Sequence, residues 1–406
     1  MTERKRGGRL RLMVHDYAGH AFPVQLSRWL ARQGHRVLHC YSADFESPHG
    51  ALAPQRDDPC GLTLAALGLG LPVPKYQPLH RWRHERRYAA LVARRTVAFR
   101  PDVVLSGNAP PAIQAALLAA AHDGGGAFLS WLQDIISLAA AGVLRQKVPV
   151  LGGMVAELLR RQEFRILAES DGVVAITPDF IPLCVAGGVA ASRIHVIPNW
   201  APLDELPVLP ADNGWVRRQG LSDKQLLLYS GTLGLKHNPA LLAALAQATR
   251  DRPDVVVVVA SQGLGRQWLE RAKAERGLDN LYLLDFQDYG DLPAMLAGAA
   301  VAVAILEPYA GELSVPSKVL AYLCAGRPIL AAVPLDNLAA RTITQAGAGI
   351  VVAPDDPAGF VAAAQTLLDD RGMRERCGKA ARAWAERKFD IDAIGGKFLD
   401  VITACR

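Results

Sequence analysis

Paired cysteines and long hydrophobic runs are both missing from this sequence. Its 6 cysteines are scattered and form no C-x-x-C pair, which fits a reducing cytoplasm and argues against a structural zinc site. The longest charge-free apolar run, residues 292–306, is shorter than the roughly 18 residues that a membrane span needs. The basic start MTERKRGG has no apolar segment behind it. We therefore expect a cytoplasmic chain without a signal peptide, a transmembrane helix or a bound metal.

Enough apolar material is present for a large core. Hydrophobic residues make up 50% of the 406 positions, and this length suggests two domains rather than one. Residues 10–14 read as a strand, a glycine-containing turn and a helix follow, and residues 35–41 read as a second strand. This βαβ order predicts an α/β protein built on doubly wound parallel sheets.

Positive charge is concentrated in the first half. Residues 1–200 carry a net charge of +8, whereas the remainder carries −2. Residues 72–100 are the most basic, and residues 143–167 again combine apolar positions with Arg and Lys. Such segments are typical of helices that lie on an anionic membrane, although a solvated helix face is the alternative. No nucleic-acid motif accompanies them, so we expect no nucleic-acid partner. The predicted membrane-contact residues are Arg81, Trp82, Arg83, Arg86 and Arg87.

Glycine-containing loops follow several predicted strands. Ligands of doubly wound sheets gather beyond the carboxyl ends of the strands, so residues 15–20 should form one wall of a site. His15 and His20 lie in this loop, where histidines more often cap or pack than react. The apolar strand 255–260 leads into a G-x-G-R loop and then a helix, and that placement gives weight to an otherwise weak motif.

Residues 309–333 are predicted to form a loop, a short helix capped by Gly326 and a buried strand. The unpaired N–H groups of a helix start favour a phosphate, and Lys318 in the first turn would add a positive charge. An ordinary loop, helix and strand is the alternative interpretation.

Three segments resemble a known family. The run PSKVLAYLCAGRPIL is similar to the donor-binding stretch of family 4 glycosyltransferases, whose usual form is P-[SN]-K-x-x-E-Y-x-A-x-G-x-P. The segment WLQDI resembles the W-x-Q-D-I of bacterial envelope members, including colanic acid and fucosamine transferases. The segment RIHVIPNWAPLDE resembles the family's strand and P-N turn between its two halves.

The resemblance implies the GT-B fold, with two Rossmann-like domains and an interdomain cleft. It places an acceptor-binding domain at 1–200, a nucleotide-sugar-binding domain at 201–388, and a helix at 389–406 that crosses back to the first domain. The implied reaction transfers a sugar from a nucleotide-diphosphate donor to a hydroxyl acceptor with retention, and without a cofactor or metal. The implied donor is a UDP- or GDP-sugar, with a UDP-N-acetylhexosamine type favoured, and the acceptor is lipid-linked or another glycan.

Matching the family's site positions to this sequence gives a set of expected site residues. The expected catalytic residues are Asp134, Lys236 and Glu312. The expected donor-binding residues are Gly231, Thr232, Gly263, Gly265, Arg266, Phe286, Tyr289, Ser314, Ser317 and Lys318. Those on the acceptor side are Gly19, His20, Asn108 and Gln133. Asp134 would orient or deprotonate the acceptor hydroxyl, unless it only caps the next helix.

The sequence departs from the family pattern at three of its positions. Thr232 stands where the family has an arginine, Gln133 replaces a histidine, and Ala321 replaces the glutamate that contacts the ribose. These departures keep open a rival function, that of a non-catalytic binding or scaffold partner. A second rival is a nucleotide-sugar epimerase, which shares the same two-domain fold.

Overall fold

A computed structural model describes residues 8–45, 49–74, 77–107, 109–138, 149–234, 237–310 and 316–406. The chain forms two compact units. One comprises Met1–Pro198 together with Ile391–Arg406, and the other comprises Asn199–Asp390.

The first unit is built on a parallel sheet with the order β3-β2-β1-β4-β5-β6-β7. Its strands in the described ranges are β1 Arg11–Asp16, β2 Arg36–Ser42, β3 Leu62–Leu67, β4 Val103–Gly107, β5 Ala127–Leu132, β6 Gly172–Ala175 and β7 Ile194–Val196. The strand order reverses at β1, which pairs with both β2 and β4.

The second unit repeats the plan, with the parallel order β10-β9-β8-β11-β12-β13. Its strands, again within the described ranges, are β8 Gln225–Ser230, β9 Val255–Ala260, β10 Leu281–Leu284, β11 Ala299–Ile305, β12 Ile329–Ala332 and β13 Gly349–Val352. Every residue of β9 is buried, as its uninterrupted valines predict for a strand covered on both faces.

Helices cover both sheets. Those of the described chain are α1 Ala21–Arg32, α2 Pro78–Phe99, α3 Pro111–Asp123, α4 Pro149–Glu169, α5 Ile181–Ala186, α6 Gly214–Arg218, α7 Pro239–Ala248, α8 Leu264–Arg276, α9 Leu292–Gly298, α10 Lys318–Cys324, α11 Leu338–Ala346, α12 Pro357–Asp369, α13 Arg371–Lys388 and α14 Ile391–Ala404. Short 3₁₀ turns occur at Pro178–Phe180, Ala191–Arg193, Tyr289–Asp291 and Pro308–Ala310.

The last helix, α14, packs against α1 in the first unit. The Trp29 indole N–H donates to a carboxylate oxygen of Asp392 at 2.6 Å. A Cβ at Gly395 would lie 2.4 Å from the Trp29 ring, whereas one at Gly396 would meet nothing within 4 Å. Gly395 therefore sets how closely the two helices approach.

The predicted class, an α/β fold with two Rossmann-like parallel sheets, is confirmed by this architecture. One local expectation is wrong. We placed His15 in the loop after the first strand, but β1 continues to Asp16 and buries both residues. Only His20 of the two histidines lies in the loop.

Each sheet has its order reversal at a strand with two parallel neighbours. In the second sheet this strand is β8, which lies between β9 and β11. Loops that leave adjacent strands at such a point diverge to opposite faces and leave a crevice for a ligand. The carboxyl ends of β1 and β8 are therefore the places to look for functional groups in the two units.

Candidate active site

The loops after β8 and β9 are joined by backbone hydrogen bonds. Gly231 N–H donates to the Ala260 carbonyl at 3.0 Å, and Leu233 N–H donates to that of Gln262 at 3.2 Å. Gly265 N–H donates back to the Leu233 carbonyl at 3.0 Å. The structure thus brings the predicted donor loops together as one platform.

Glycine is required at three points of this platform. Gly231 and Gly263 have φ values of +114° and +107°, which side chains disfavour. A Cβ at Gly265 would lie 2.5 Å from Leu233 Cγ and 2.8 Å from the Leu233 carbonyl oxygen. These three predicted residues therefore leave the backbone accessible and the loops in contact.

Lys318, the first residue of α10, extends into this platform. Its ammonium Nζ lies 3.4 Å from the centroid of the Tyr229 ring and would be 3.6 Å from a Cβ at Gly231. Nζ is buried and has no hydrogen-bond acceptor within the described residues. Burial lowers the pKa of Lys318 well below its usual value.

Two tyrosines hold this arrangement together, and the sequence analysis assigned neither a role. The fully buried Tyr229 donates its hydroxyl to the Thr232 carbonyl at 2.9 Å. Tyr322 accepts from Ser230 N–H at 3.1 Å and donates to the Val303 carbonyl at 3.2 Å. Tyr322 follows Lys318 by one helical turn, and this spacing was the available signal.

The other predicted donor-side residues are more dispersed. The Arg266 guanidinium pairs with Glu270 and donates to the Leu283 carbonyl at 3.2 Å. Tyr289 donates its hydroxyl to Glu205 at 2.6 Å. Phe286 is half-buried and Ser317 is exposed. Their contact with a nucleotide stays a prediction.

Four of the predicted residues lie outside the described residues: Asn108, Lys236, Glu312 and Ser314. One carboxylate that the sequence analysis left without a role, Glu307, comes two residues after the end of β11. Burial raises the pKa of Glu307. Its strand pairs with β8, so this carboxyl group emerges at the same edge of the sheet.

In the first unit, a carboxylate organises the loop after β1. The buried Asp16 accepts from the His20 backbone N–H and contacts His20 Nδ1 at 3.2 Å. Gly19 adopts φ +72° and donates its N–H to the Asp16 carbonyl at 3.2 Å. The loop therefore presents the partly exposed His20 ring in a fixed position.

Electrostatic contacts within this pair favour the charged form of each group. Burial alone would raise the pKa of Asp16, but the charge and hydrogen bonds of His20 lower it below its usual value. Burial alone would lower the pKa of His20, but Asp16 and, to a smaller extent, Asp134 raise it. The electrostatic coupling of His20 with Asp134 brings two of the predicted residues into one neighbourhood.

The segment that carries Gln133 and Asp134 is fixed by α4. Glu163 accepts from the backbone N–H groups of Ile136 at 3.0 Å and Ser137 at 2.9 Å. Burial raises the pKa of Glu163. Gln133 and Asp134 line a cavity of about 30 Å³, which has room for a water molecule.

The His15 side chain is buried and hydrogen-bonded inside the first unit. Its ring nitrogens lie 3.1 Å from Ser106 Oγ and 3.3 Å from the Tyr88 hydroxyl, and burial lowers its pKa to about 4. A buried, neutral and hydrogen-bonded imidazole of this kind fits a packing role.

The predicted membrane-contact residues lie at the start of α2. Trp82 is 52% exposed and Leu79 is 72% exposed, with the Arg86 guanidinium 4.9 Å above the Trp82 ring. Arg83 and Arg87 are exposed, whereas Arg81 pairs with Glu85 at 2.7 Å. The helix α4 likewise exposes Met154, Val155 and Leu158. In the described ranges, no helix is long and apolar enough to cross a bilayer.

Two family models match the chain. The model described as "Glycosyl transferase 4-like domain" covers residues 20–200, and "Glycosyl transferases group 1" covers residues 215–384. The chain belongs to the family 4, group 1 glycosyltransferases.

Curated relatives share parts of the sequence. The colanic acid biosynthesis glycosyl transferase WcaI of Escherichia coli K12 is 29% identical over 62% of this chain and 61% of its own length. The alpha-D-kanosaminyltransferase of Streptomyces kanamyceticus is 28% identical over 45% of this chain and 47% of its own. The chain thus matches about three fifths or less of these relatives.

Solved structures match the fold over almost the whole chain. HepE of Anabaena, in complex with UDP and glucose, has a TM-score of 0.72 at 15% identity and covers 97% of this chain and 100% of its own. The lipopolysaccharide glycosyltransferase WaaG has a TM-score of 0.65 at 16% identity, covering 97% and 99%. These matches confirm the predicted GT-B fold.

The anchoring role of Tyr322 is testable by removing its hydroxyl. We expect Tyr322→Phe to lower the free energy of unfolding by roughly 1–3 kcal/mol, because Ser230 N–H loses its buried acceptor. Tyr282→Phe is the control, since Tyr282 lies in β10 of the same unit and is 37% exposed, and its effect should stay within about 0.5 kcal/mol. Urea unfolding measures both, and equal effects would contradict the anchoring role.

Proposed function

We propose that this chain is a retaining glycosyltransferase that moves a sugar from a nucleoside-diphosphate donor to a hydroxyl acceptor. The observation that carries the proposal is the Lys318 ammonium, buried against the Tyr229 ring and Gly231 without an acceptor in the described structure. A cation with no partner at the end of a switch-point strand suits an incoming phosphate.

Lys318 would act on the leaving group. When the bond between sugar and diphosphate breaks, negative charge collects on the diphosphate, and a nearby ammonium stabilises that state more than the intact donor. The family's arginine is replaced by Thr232, and Lys318 lies beside that position. We infer that Lys318 and Lys236 together supply the positive charge that the family loop provides, so that no metal is required.

The donor is proposed to be a UDP- or GDP-sugar, with a UDP-N-acetylhexosamine type favoured. The complex of HepE with UDP and glucose supports a nucleotide-linked donor for this fold. Gly263 and Gly265 would leave room for the nucleotide, and Arg266, Phe286, Tyr289, Ser314 and Ser317 are the proposed further contacts. Glu312 is proposed to reach the sugar.

The acceptor is proposed to bind in the first unit. Asp134 would orient or deprotonate its hydroxyl, with His20, whose pKa Asp16 raises, as a neighbour. Gly19, Asn108 and Gln133 are the proposed remaining contacts. The similarity to WcaI, a glycosyl transferase of colanic acid biosynthesis by its name, supports a place in polysaccharide assembly. The exposed basic and aromatic residues of the first unit support a lipid-linked acceptor.

The donor side can be tested by a thermal-shift screen of UDP- and GDP-sugars, followed by mass spectrometry of lipid extracts incubated with the best donor. We expect Lys318→Met to lower kcat/KM for that donor by about 10²–10³-fold, the usual effect of losing one transition-state contact. Lys388→Met is the matched control, because Lys388 is exposed and its Nζ lies 5.5 Å from the Trp384 ring.

The two rival functions would give other results in the same experiment. Conversion of the donor without any acceptor would show an epimerase. Absence of binding to every nucleotide would favour a scaffold partner, which is the function that Ala321, Thr232 and Gln133 suggest. Equal turnover by the Lys318→Met and Lys388→Met variants would contradict a role for Lys318 in the donor site.

We further propose that the protein acts at the inner face of the plasma membrane, held there by the exposed basic and aromatic residues of α2 and by α4. Leu79 and Trp82 would enter the interface while Arg83, Arg86 and Arg87 contact anionic headgroups. Because the helix lies flat in this arrangement, no membrane-spanning segment is needed.

Vesicle sedimentation tests this surface. With phosphatidylglycerol-containing vesicles, Arg83→Glu should weaken binding at least about tenfold, since one basic residue near such a surface contributes about 1 kcal/mol and the change reverses its charge. Arg94→Glu makes the same charge change on the exposed far half of α2 and should have a smaller effect. Equal losses, or equal binding to neutral vesicles, would contradict membrane contact through the start of α2.

A further inference from the structure

A cavity of about 650 Å³ lies within the second unit at the edge of the sheet opposite the donor loops. Its lining includes Gln225 at the start of β8, Ala299 at the start of β11 and Pro328 just before β12. Donor loops leave the carboxyl ends of these strands, so this cavity is separate from the candidate active site. Its volume falls within the range of roughly 300–1,000 Å³ that small-molecule sites occupy.

One face of α13 forms the opposite wall. The helix approaches closely because a Cβ at Gly378 would lie 2.5 Å from the Gly326 carbonyl oxygen. Residues of α13 then line the cavity at helical spacing, from Arg371 through Lys379 to Glu386. The cavity is therefore bounded by regular elements rather than by loops alone.

The lining has an excess of positive charge. It contains six cationic side chains and two carboxylates, and both carboxylates are already paired. Arg371 contacts Glu375 at 2.9 Å, and Arg382 contacts Glu386 at 2.8 Å. The remaining cations are Lys224, Arg327, Arg374 and Lys379, and none of them has a carboxylate within 4.0 Å among the described residues.

Arg327 and Arg374 donate to backbone carbonyls rather than to carboxylates. Arg327 donates to the Leu209 carbonyl at 2.7 Å, while its buried Nε has no acceptor in the described structure. Arg374 donates to the Leu367 carbonyl at 2.7 Å. Burial lowers the pKa of both. For Arg374 the neighbouring Arg371 lowers the pKa further, whereas Asp370 and Glu375 oppose that shift. Guanidinium groups that are partly buried and donate only to backbone carbonyls are stabilised by an anion that offers several oxygen acceptors.

We propose that this cavity is a second anion site, which binds a small phosphorylated molecule with at least two negative charges between Arg327, Arg374 and Lys379. A phosphate or diphosphate group matches the uncompensated cations, whereas a single carboxylate would leave most of them unpaired. The exposed Lys379 stands at the rim, where it contacts the anion first. This proposal is independent of the proposed transferase activity.

Calorimetric titration with inorganic pyrophosphate at constant ionic strength tests the site. We expect Lys379→Glu to weaken binding by about tenfold or more, because a contact with the anion becomes a repulsion. Arg387→Glu is the matched control, since Arg387 is exposed on the same helix but does not line the cavity. It should change the affinity less than about twofold, as expected for a screened surface charge.

Two further variants locate the bound anion. Arg374→Gln should also weaken binding, and its urea unfolding is measured in parallel to confirm that the protein is folded. Lys318→Met should leave a pyrophosphate site intact, because Lys318 lies at the other edge of the sheet. The proposal is wrong if wild-type protein binds no pyrophosphate, if Arg387→Glu weakens binding as much as Lys379→Glu, or if Lys318→Met alone abolishes it.

Discussion

An ammonium group pressed against an aromatic ring is the interaction on which the account of the second unit depends. Lys318 Nζ lies 3.4 Å from the centre of the Tyr229 ring, and the described structure gives it no hydrogen-bond acceptor. A cation–π contact offsets part of the cost of removing the ammonium from water, and an anion would offset far more. The geometry therefore favours a site that is completed by a negatively charged ligand.

The surrounding elements hold the Lys318 side chain at the end of β8. Tyr322, one turn along α10, ties the helix to the backbone of β8 and β11 through its hydroxyl. Gly231, Gly263 and Gly265 allow the neighbouring loops to approach without side chains in the way. In the first unit, Asp16 plays the corresponding part by fixing His20 at the end of β1. Each unit thus positions one basic side chain at its strand-order reversal.

The alternation of strands and helices predicted both sheets, because buried parallel strands leave uninterrupted apolar runs such as β9. Glycines between a strand and the next helix predicted the donor loops, because ligands of such sheets bind in the loops beyond the carboxyl ends of the strands. The spacing of Tyr322 from Lys318 indicated a shared helix face, but a tyrosine in an apolar strand or helix otherwise indicates only a core position. Only the tertiary structure shows which backbone groups the two tyrosine hydroxyls meet. The pairing of Arg266 with Glu270 and the burial of His15 depend on where a helix or strand ends, which sequence patterns locate poorly. The domain limits, the cleft and the roles of Lys236 and Glu312 stay predictions.

The ionisation of Lys318 tests this account most directly. Lysine labelled at its side chain, with the resonance assigned by comparison with Lys318→Met, reports the pKa by nuclear magnetic resonance across a pH titration. The account predicts a pKa for Lys318 below the ordinary value of about 10.4 in the free protein, and a rise when UDP is added, because a bound diphosphate favours the charged form. An ordinary pKa that UDP leaves unchanged would contradict it.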